Sequence, residues 1–206
     1  MRMTLEKVVL VFLAVAEAVP APAARQRPVW TEKAKVARWL VHNSDYSIAS
    51  SSCSVVRPGC AFVGQPFGNV MSVSDGLGLG HSTGIVYTYL PDLDASTQDI
   101  LTDPRITLTF SEKALGTCNS TAENPPCARL TIAGNLTQVP EAHTEEALRF
   151  LFSRHPEMSY WSSVHAFKPY WMSREEIITF FFIDFYGSAV DFNVSDYLAA
   201  NPFDFL

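Results

Sequence analysis

The chain has 206 residues, 48% of them hydrophobic and 17% charged, and a formal net charge of −6. That length suits one domain with a substantial core, and the composition excludes a disordered chain. The negative balance, with no basic run or basic-aromatic stripe, excludes a large nucleic-acid footprint.

The N-terminus reads as a secretory signal over residues 1–18. Arg2 and Lys7 make a weakly positive start, Val8 to Val15 is unbroken apolar sequence, and Ala16-Glu17-Ala18 places small residues where a signal peptidase reads. The apolar run is far below the ~20 residues that a spanning helix needs. Pro20, Pro22 and Pro28 follow at once and would break a buried helix. Residues 19–30 read as a flexible Ala/Pro-rich leader and residues 31–206 as the domain.

Thr31 is a candidate cap for a helix to about His42, with Val36, Ala37, Trp39 and Leu40 on its apolar face. After Asn43-Ser44-Asp45 the pattern turns to strands: Tyr46 to Cys53, Asn69 to Val73 and Ile85 to Leu90. Asp92 to Ile100 reads as a short helical crossover ending before Asp103-Pro104. Ile106 to Phe110 alternates cleanly, as a half-buried strand does. Arg129 to Ile132 and Leu136 to Val139 read as the next pair, turning near Gly134. A helix follows from about Glu141 to Arg154, with Ala147, Leu148, Leu151 and Phe152 as its face and Pro156 as its stop. Ile177 to Tyr186 is the last strand, and Val194 to Ala200 a short terminal helix. Many short strands with few helices predict a mainly β or α+β, barrel-like domain.

The four cysteines suit disulfides in an exported chain, with three possible pairings. Spacing favours the local ones, Cys53–Cys60 and Cys118–Cys127, because each bracketed loop carries Pro and can fold back. Zinc would prefer closer cysteine spacing and nearby histidines. Asn119, Asn135 and Asn193 each begin a glycosylation sequon, with Asn119 in the most polar loop.

The stretch GLGHSTG, Gly78 to Gly84, contains a G-x-S-x-G match centred on Ser82. A nucleophile elbow needs strand, turn and helix. Here Ile85 to Leu90 follows as a strand, so a hydrolase with Ser82 as nucleophile, and His155 or His165 as base, is disfavoured. Gly76 to Gly80 fails as a dinucleotide loop for the same reason. In RHPEM, Arg154 and His155 sit at a helix C-terminus, where they satisfy free carbonyls, with Met158, Tyr160 and Trp161 packed beneath. Trp161, Phe167 and Trp171 read as core or dimer surface rather than a flavin stack.

Four segments occur in one order: PFGNVMSVSDG (Pro66 to Gly76), GIVYTYLPDLDAST (Gly84 to Thr97), DPRITLTF (Asp103 to Phe110) and LFSRHPEM (Leu151 to Met158). Together they resemble the CREG family, secreted glycoproteins named as cellular repressors of adenoviral early-gene activation, from about Val36 onward. The resemblance implies an FMN-binding-type split β-barrel with flanking helices, the architecture of pyridoxamine-phosphate oxidases and haem-utilisation proteins. It also implies a homodimer through the barrel, secretion with endosome-lysosome residence, and a role in restraining growth and promoting differentiation. Glycan-dependent binding to the mannose-6-phosphate/insulin-like growth factor II receptor is implied too, for vertebrate members.

In flavin-binding relatives, the segment equivalent to Pro91–Asp99 holds the cofactor phosphate with cationic or His side chains. Here it carries Asp92, Asp94 and Asp99 with Ser96 and Thr97, and no Lys, Arg or His; Arg105 is the nearest base. Carboxylates repel a dianionic phosphate. The expectation is a vestigial subsite, no bound cofactor, no metal and no catalytic residue, in a glycoprotein that acts by binding. A flavin- or haem-dependent oxidoreductase on the same barrel is the alternative.

Overall fold

A computed structural model describes residues 26–161 and 163–203. The signal and most of the leader lie outside these residues. The end of the leader lies against the domain: Arg27 donates to the Pro126 and Asp184 carbonyls and pairs with Glu112, and Trp30 stacks on Phe185.

The first helix, α1 (Lys33–Asn43), is buried continuously from Val36 to His42, because it runs through the middle of the molecule rather than over its surface. Its N-cap is Glu32, not Thr31, and makes no side-chain capping bond. Five strands form one antiparallel sheet in the order β2 (Pro66–Ser72), β1 (Tyr46–Ser52), β4 (Arg105–Ser111), β5 (Arg129–Asn135) and β8 (Ile177–Ile183). A second sheet contains β3 (Val86–Leu90), β7 (Lys168–Met172) and β6 (Thr137–Gln138), in that order. This is the expected α+β split barrel. Among the described residues the two sheets are not hydrogen-bonded into one closed ring, although a single bridge, Ser74 to Tyr87, joins their ends.

The inner faces of both sheets enclose α1 and share one core that includes Leu108, Leu130, Ile132, Phe182, Trp39 and Tyr170. Alternation places these residues inward, and their neighbours Thr107, Thr109 and Thr131 outward. The outer face of the smaller sheet is covered by α4 (Glu141–Arg154), which buries Ala147, Phe150 and Leu151 against Tyr87. Phe150 belongs to that face although the sequence pattern did not single it out. Leu148 and Phe152 are only half-buried.

Two expectations about strands are corrected. The runs flanking Gly134 are not a hairpin: β5 pairs with β4 and β8, whereas β6 pairs with β7 in the other sheet. The chain changes sheets at Leu136, whose N–H donates to the Pro104 carbonyl. Gly134 permits the crossing, since a Cβ there would meet the Glu176 carbonyl oxygen at 2.3 Å. In addition, β7 is a strand that the sequence pattern did not single out, and β8 ends at Ile183 rather than Tyr186.

Two shorter helices complete the connections: α2 (Ala95–Thr102) crosses between the sheets, and α3 (Glu112–Leu115) follows β4. The terminal helix α5 (Val194–Ala199) packs on α1 and buries Tyr197. Both disulfides are the local ones, Cys53–Cys60 and Cys118–Cys127, with Cα separations of 5.9 and 5.5 Å. Among the described residues no helix is long and apolar enough to cross a membrane.

Candidate functional site

The segment Pro91–Asp99 leads into α2, and a helix N-terminus is a natural anion site because its first N–H groups lack partners. Here those of Ser96, Thr97 and Gln98 are already taken. Asp94 is the N-cap, and its Oδ1 accepts from the backbone N–H groups of Ser96 at 2.9 Å and Thr97 at 3.1 Å. Asn69 reaches across from β2 to the Ser96 hydroxyl at 3.1 Å and to Asp94 at 3.3 Å. Thr97 is fully buried, and its hydroxyl has no hydrogen-bond partner among the described residues.

The other two acids hold cations brought from elsewhere in the chain. Lys168, at the start of β7, donates to Asp92 at 2.8 and 3.0 Å. Arg57, from the Cys53–Cys60 loop, grips Asp99 through both guanidinium nitrogens at 2.9 and 2.7 Å. The carboxylate also accepts from the Ser51 and Ser54 hydroxyls and the Ser54 N–H. Burial works against the Asp99 charge, but the hydrogen bonds from Arg57, Ser54 and Ser51 outweigh it and bring its pKa down to about 2. Arg105 turns to Asp103 instead of this site.

In the sequence the acids stand without their partners, because Arg57 and Lys168 are distant from Asp99 and Asp92 along the chain. The residues present therefore do not fit a flavin phosphate: the helix terminus is self-capped and both nearby cations are spent on carboxylates.

The glycine-rich turn has a separate role. Asp75, buried beneath it, accepts from the Ser82 hydroxyl and lies 2.7 Å from His42 Nδ1. His42 Nε2 faces the Leu79 carbonyl at 3.2 Å. Arg38 donates to the Ser82 hydroxyl at 2.8 Å and to the Leu198 carbonyl at 2.8 Å. The carboxylate sits between serine and histidine, so the Ser82 hydroxyl bonds Asp75 and Arg38 rather than forming the serine–histidine pair of a catalytic triad. Neither His155 nor His165 takes part: His155 bonds the Val73 carbonyl at 2.9 Å. Gly84 is required by the same network, with φ +80° and Arg38 within 2.7 Å of where a Cβ would lie. Burial raises Tyr87 to about 12 and also raises Tyr197, so neither phenol exchanges a proton near neutral pH.

Arg154 does satisfy helix carbonyls, but those of α1: it donates to the His42 carbonyl at 2.8 Å and pairs with Asp45 at 2.8 Å. Met158 is buried, whereas Tyr160 is exposed rather than packed beneath. Trp161 and Phe167 gather around Tyr89, while Trp171 packs apart from them on Tyr87. A cleft of about 380 Å³ opens beside the larger sheet, between Tyr46, Ile48, Leu115 and Arg154. No cluster of metal-ligating side chains occurs among the described residues.

Of the sequon asparagines, Asn119 is exposed with no side-chain hydrogen bond among the described residues. Asn135 donates to Glu176 at 2.7 Å, and Asn193 caps α5 and donates to Asp196.

Residues 28–199 match the family described as "CREG, beta-barrel". The chain is 30% identical over 199 residues to the protein CREG1 of Gallus gallus, covering 95% of this chain and 100% of that protein. It is 31% identical to CREG1 of Homo sapiens over 78% of this chain and 70% of that protein. It is 29% identical to CREG2 of Mus musculus, over 91% of this chain and 68% of that protein. Among solved structures, a heme binding protein from Mycobacterium smegmatis superposes with a TM-score of 0.60 at 15% identity, covering 88% of this chain and 62% of that one. That likeness shows the fold.

Proposed function

The chain belongs to the CREG β-barrel family, and we propose that it is a secreted, non-catalytic glycoprotein that acts by binding partners and regulates cell growth and differentiation. The observation that supports this reading is the self-capped terminus of α2, where Asp94 accepts from the Ser96 and Thr97 N–H groups that a phosphate would otherwise use. In this reading the split barrel is kept, and the phosphate subsite that the resemblance implies is closed by the chain's own carboxylate. The two disulfides suit a protein that works outside the cell; residence in endosomes and lysosomes is part of the proposal and follows from the resemblance.

The protein secreted from eukaryotic cells should be colourless, and titration with riboflavin 5′-phosphate should show no binding at micromolar concentration. Micromolar flavin affinity would move the oxidoreductase reading to first place, and the same titration with haem tests its haem-dependent form. Asn119 is the glycan we assign to receptor recognition of the mannose-6-phosphate type. Asn119→Gln should abolish capture by that receptor without changing the unfolding midpoint; retained capture would reject the assignment.

A further inference from the structure

One end of the molecule is apolar in a way that neither the core nor the phosphate subsite requires. The loop between β1 and β2 is pinned at its base by the Cys53–Cys60 disulfide and by bonds from Cys53 N to the Gln65 carbonyl and from Gly64 N to the Cys53 carbonyl. It presents Val55, Val56, Phe62 and Val63 to solvent, with Val56 68% and Phe62 61% exposed. Arg57 fixes this loop to α2 through Asp99 and the Ala95 carbonyl. Next to it, between β3 and α2, Leu93 is 82% exposed. Lys168 ties Asp92 to the start of β7, and the segment before β7 adds Tyr160, 88% exposed, and Trp161. Pairing closes the β1–β2 loop at Ser52 opposite Pro66 and sets the β3–α2 turn beside the segment before β7 at Leu90 opposite Lys168, and Arg57 links the two.

We propose that this end docks on the interfacial layer of a neutral, zwitterionic lipid bilayer. The apolar side chains ride on loop tips that project from strand ends, as an element entering a headgroup layer does. Tyr and Trp at the edge are the side chains that sit at such a boundary.

Charge decides the kind of surface. Arg57, Lys168 and Arg105 each hold a carboxylate of the same end, namely Asp99, Asp92 and Asp103. Asp94 caps α2. Those three cations are therefore not free to reward anionic lipid, and the chain's net charge of −6 opposes an anionic surface. The loops are tied before any contact, so little ordering cost falls on binding.

The test is co-flotation of the full disulfide-bonded chain with phosphatidylcholine vesicles, alone and mixed with phosphatidylserine. The protein should float with pure phosphatidylcholine, and phosphatidylserine should weaken the association. Val56→Glu and Phe62→Glu should each lower partitioning by about tenfold or more. Both positions face solvent, so the variants should keep the wild-type far-UV spectrum and unfolding midpoint. In the wild type, brominated lipid should quench a component of the tryptophan fluorescence that Trp161→Phe removes.

The proposal fails if the wild type does not float with phosphatidylcholine, or if binding requires phosphatidylserine. It fails equally if the variants float unchanged. Loss of a dimer in the same variants would make this end a contact between copies and overturn the lipid assignment. These readouts are independent of whether flavin binds.

Discussion

At the scale of single residues, Asp99 is the most constrained group near the phosphate subsite. It is buried, carries a charge and depends on Arg57, which reaches it from a loop beyond the end of β1. Removing one partner of such a pair strands the other charge in a poor dielectric. Arg57→Ala should lower stability by about 3 kcal/mol, measured by denaturant unfolding. Because the folded pKa of Asp99 lies below its unfolded value of 3.8, its stabilising contribution is present above that pH. The contribution is lost as the pH falls through about 2, the folded value. Arg57→Ala should therefore move the acid-unfolding midpoint to higher pH, and an unchanged midpoint would show that the serines alone hold the charge. Asp99 stood out in the sequence as an acid in the wrong place for a phosphate. Its partner did not, because nothing local marks an arginine in a Pro-Gly loop as the ligand of a carboxylate 42 residues away.

At the scale of elements, the Cys53–Cys60 loop and α2 behave as one unit. The disulfide holds the loop that supplies Arg57, and Arg57 holds α2. A closure this short contributes about 2–3 kcal/mol through the unfolded state. Replacing Cys53 and Cys60 by Ser should speed hydrogen exchange of the α2 amides. The same change at Cys118 and Cys127 should leave α2 protected. Equal effects from both pairs would mean that the loop does not transmit order to the helix. Elements with a strong local signal were legible: α4 has the predicted bounds, and β4 shows the predicted alternation. By contrast, β7 was hidden because Pro169 sits inside it, and a proline argues against an interior strand. The false hairpin arose because β5 and the run after Gly134 both read as strands. What separates them is the close approach of the Glu176 backbone, which no local pattern encodes.

At the scale of the whole molecule, the outer face of the five-stranded sheet carries one row in register across every strand: Val70, Ile48, Thr109, Thr131 and Phe181. Val70, Ile48 and Phe181 are exposed. We propose that the chain forms a homodimer and that this row is its contact face. Ile48→Lys or Phe181→Glu should halve the mass measured by light scattering, whereas substitutions at the lipid-docking end should not. A wild-type monomer would reject the assignment. The chain's passage from one sheet to the other at Leu136 also bears on how the protein is made. Neither sheet is continuous in sequence, and β5 gains its last neighbour only with β8, followed by Tyr197 entering the core. During vectorial synthesis the two short disulfide loops can close early, but the barrel waits for nearly the whole chain. The nascent protein therefore passes most of its synthesis with unpaired strand edges, and chaperones rather than its own core must keep it from associating.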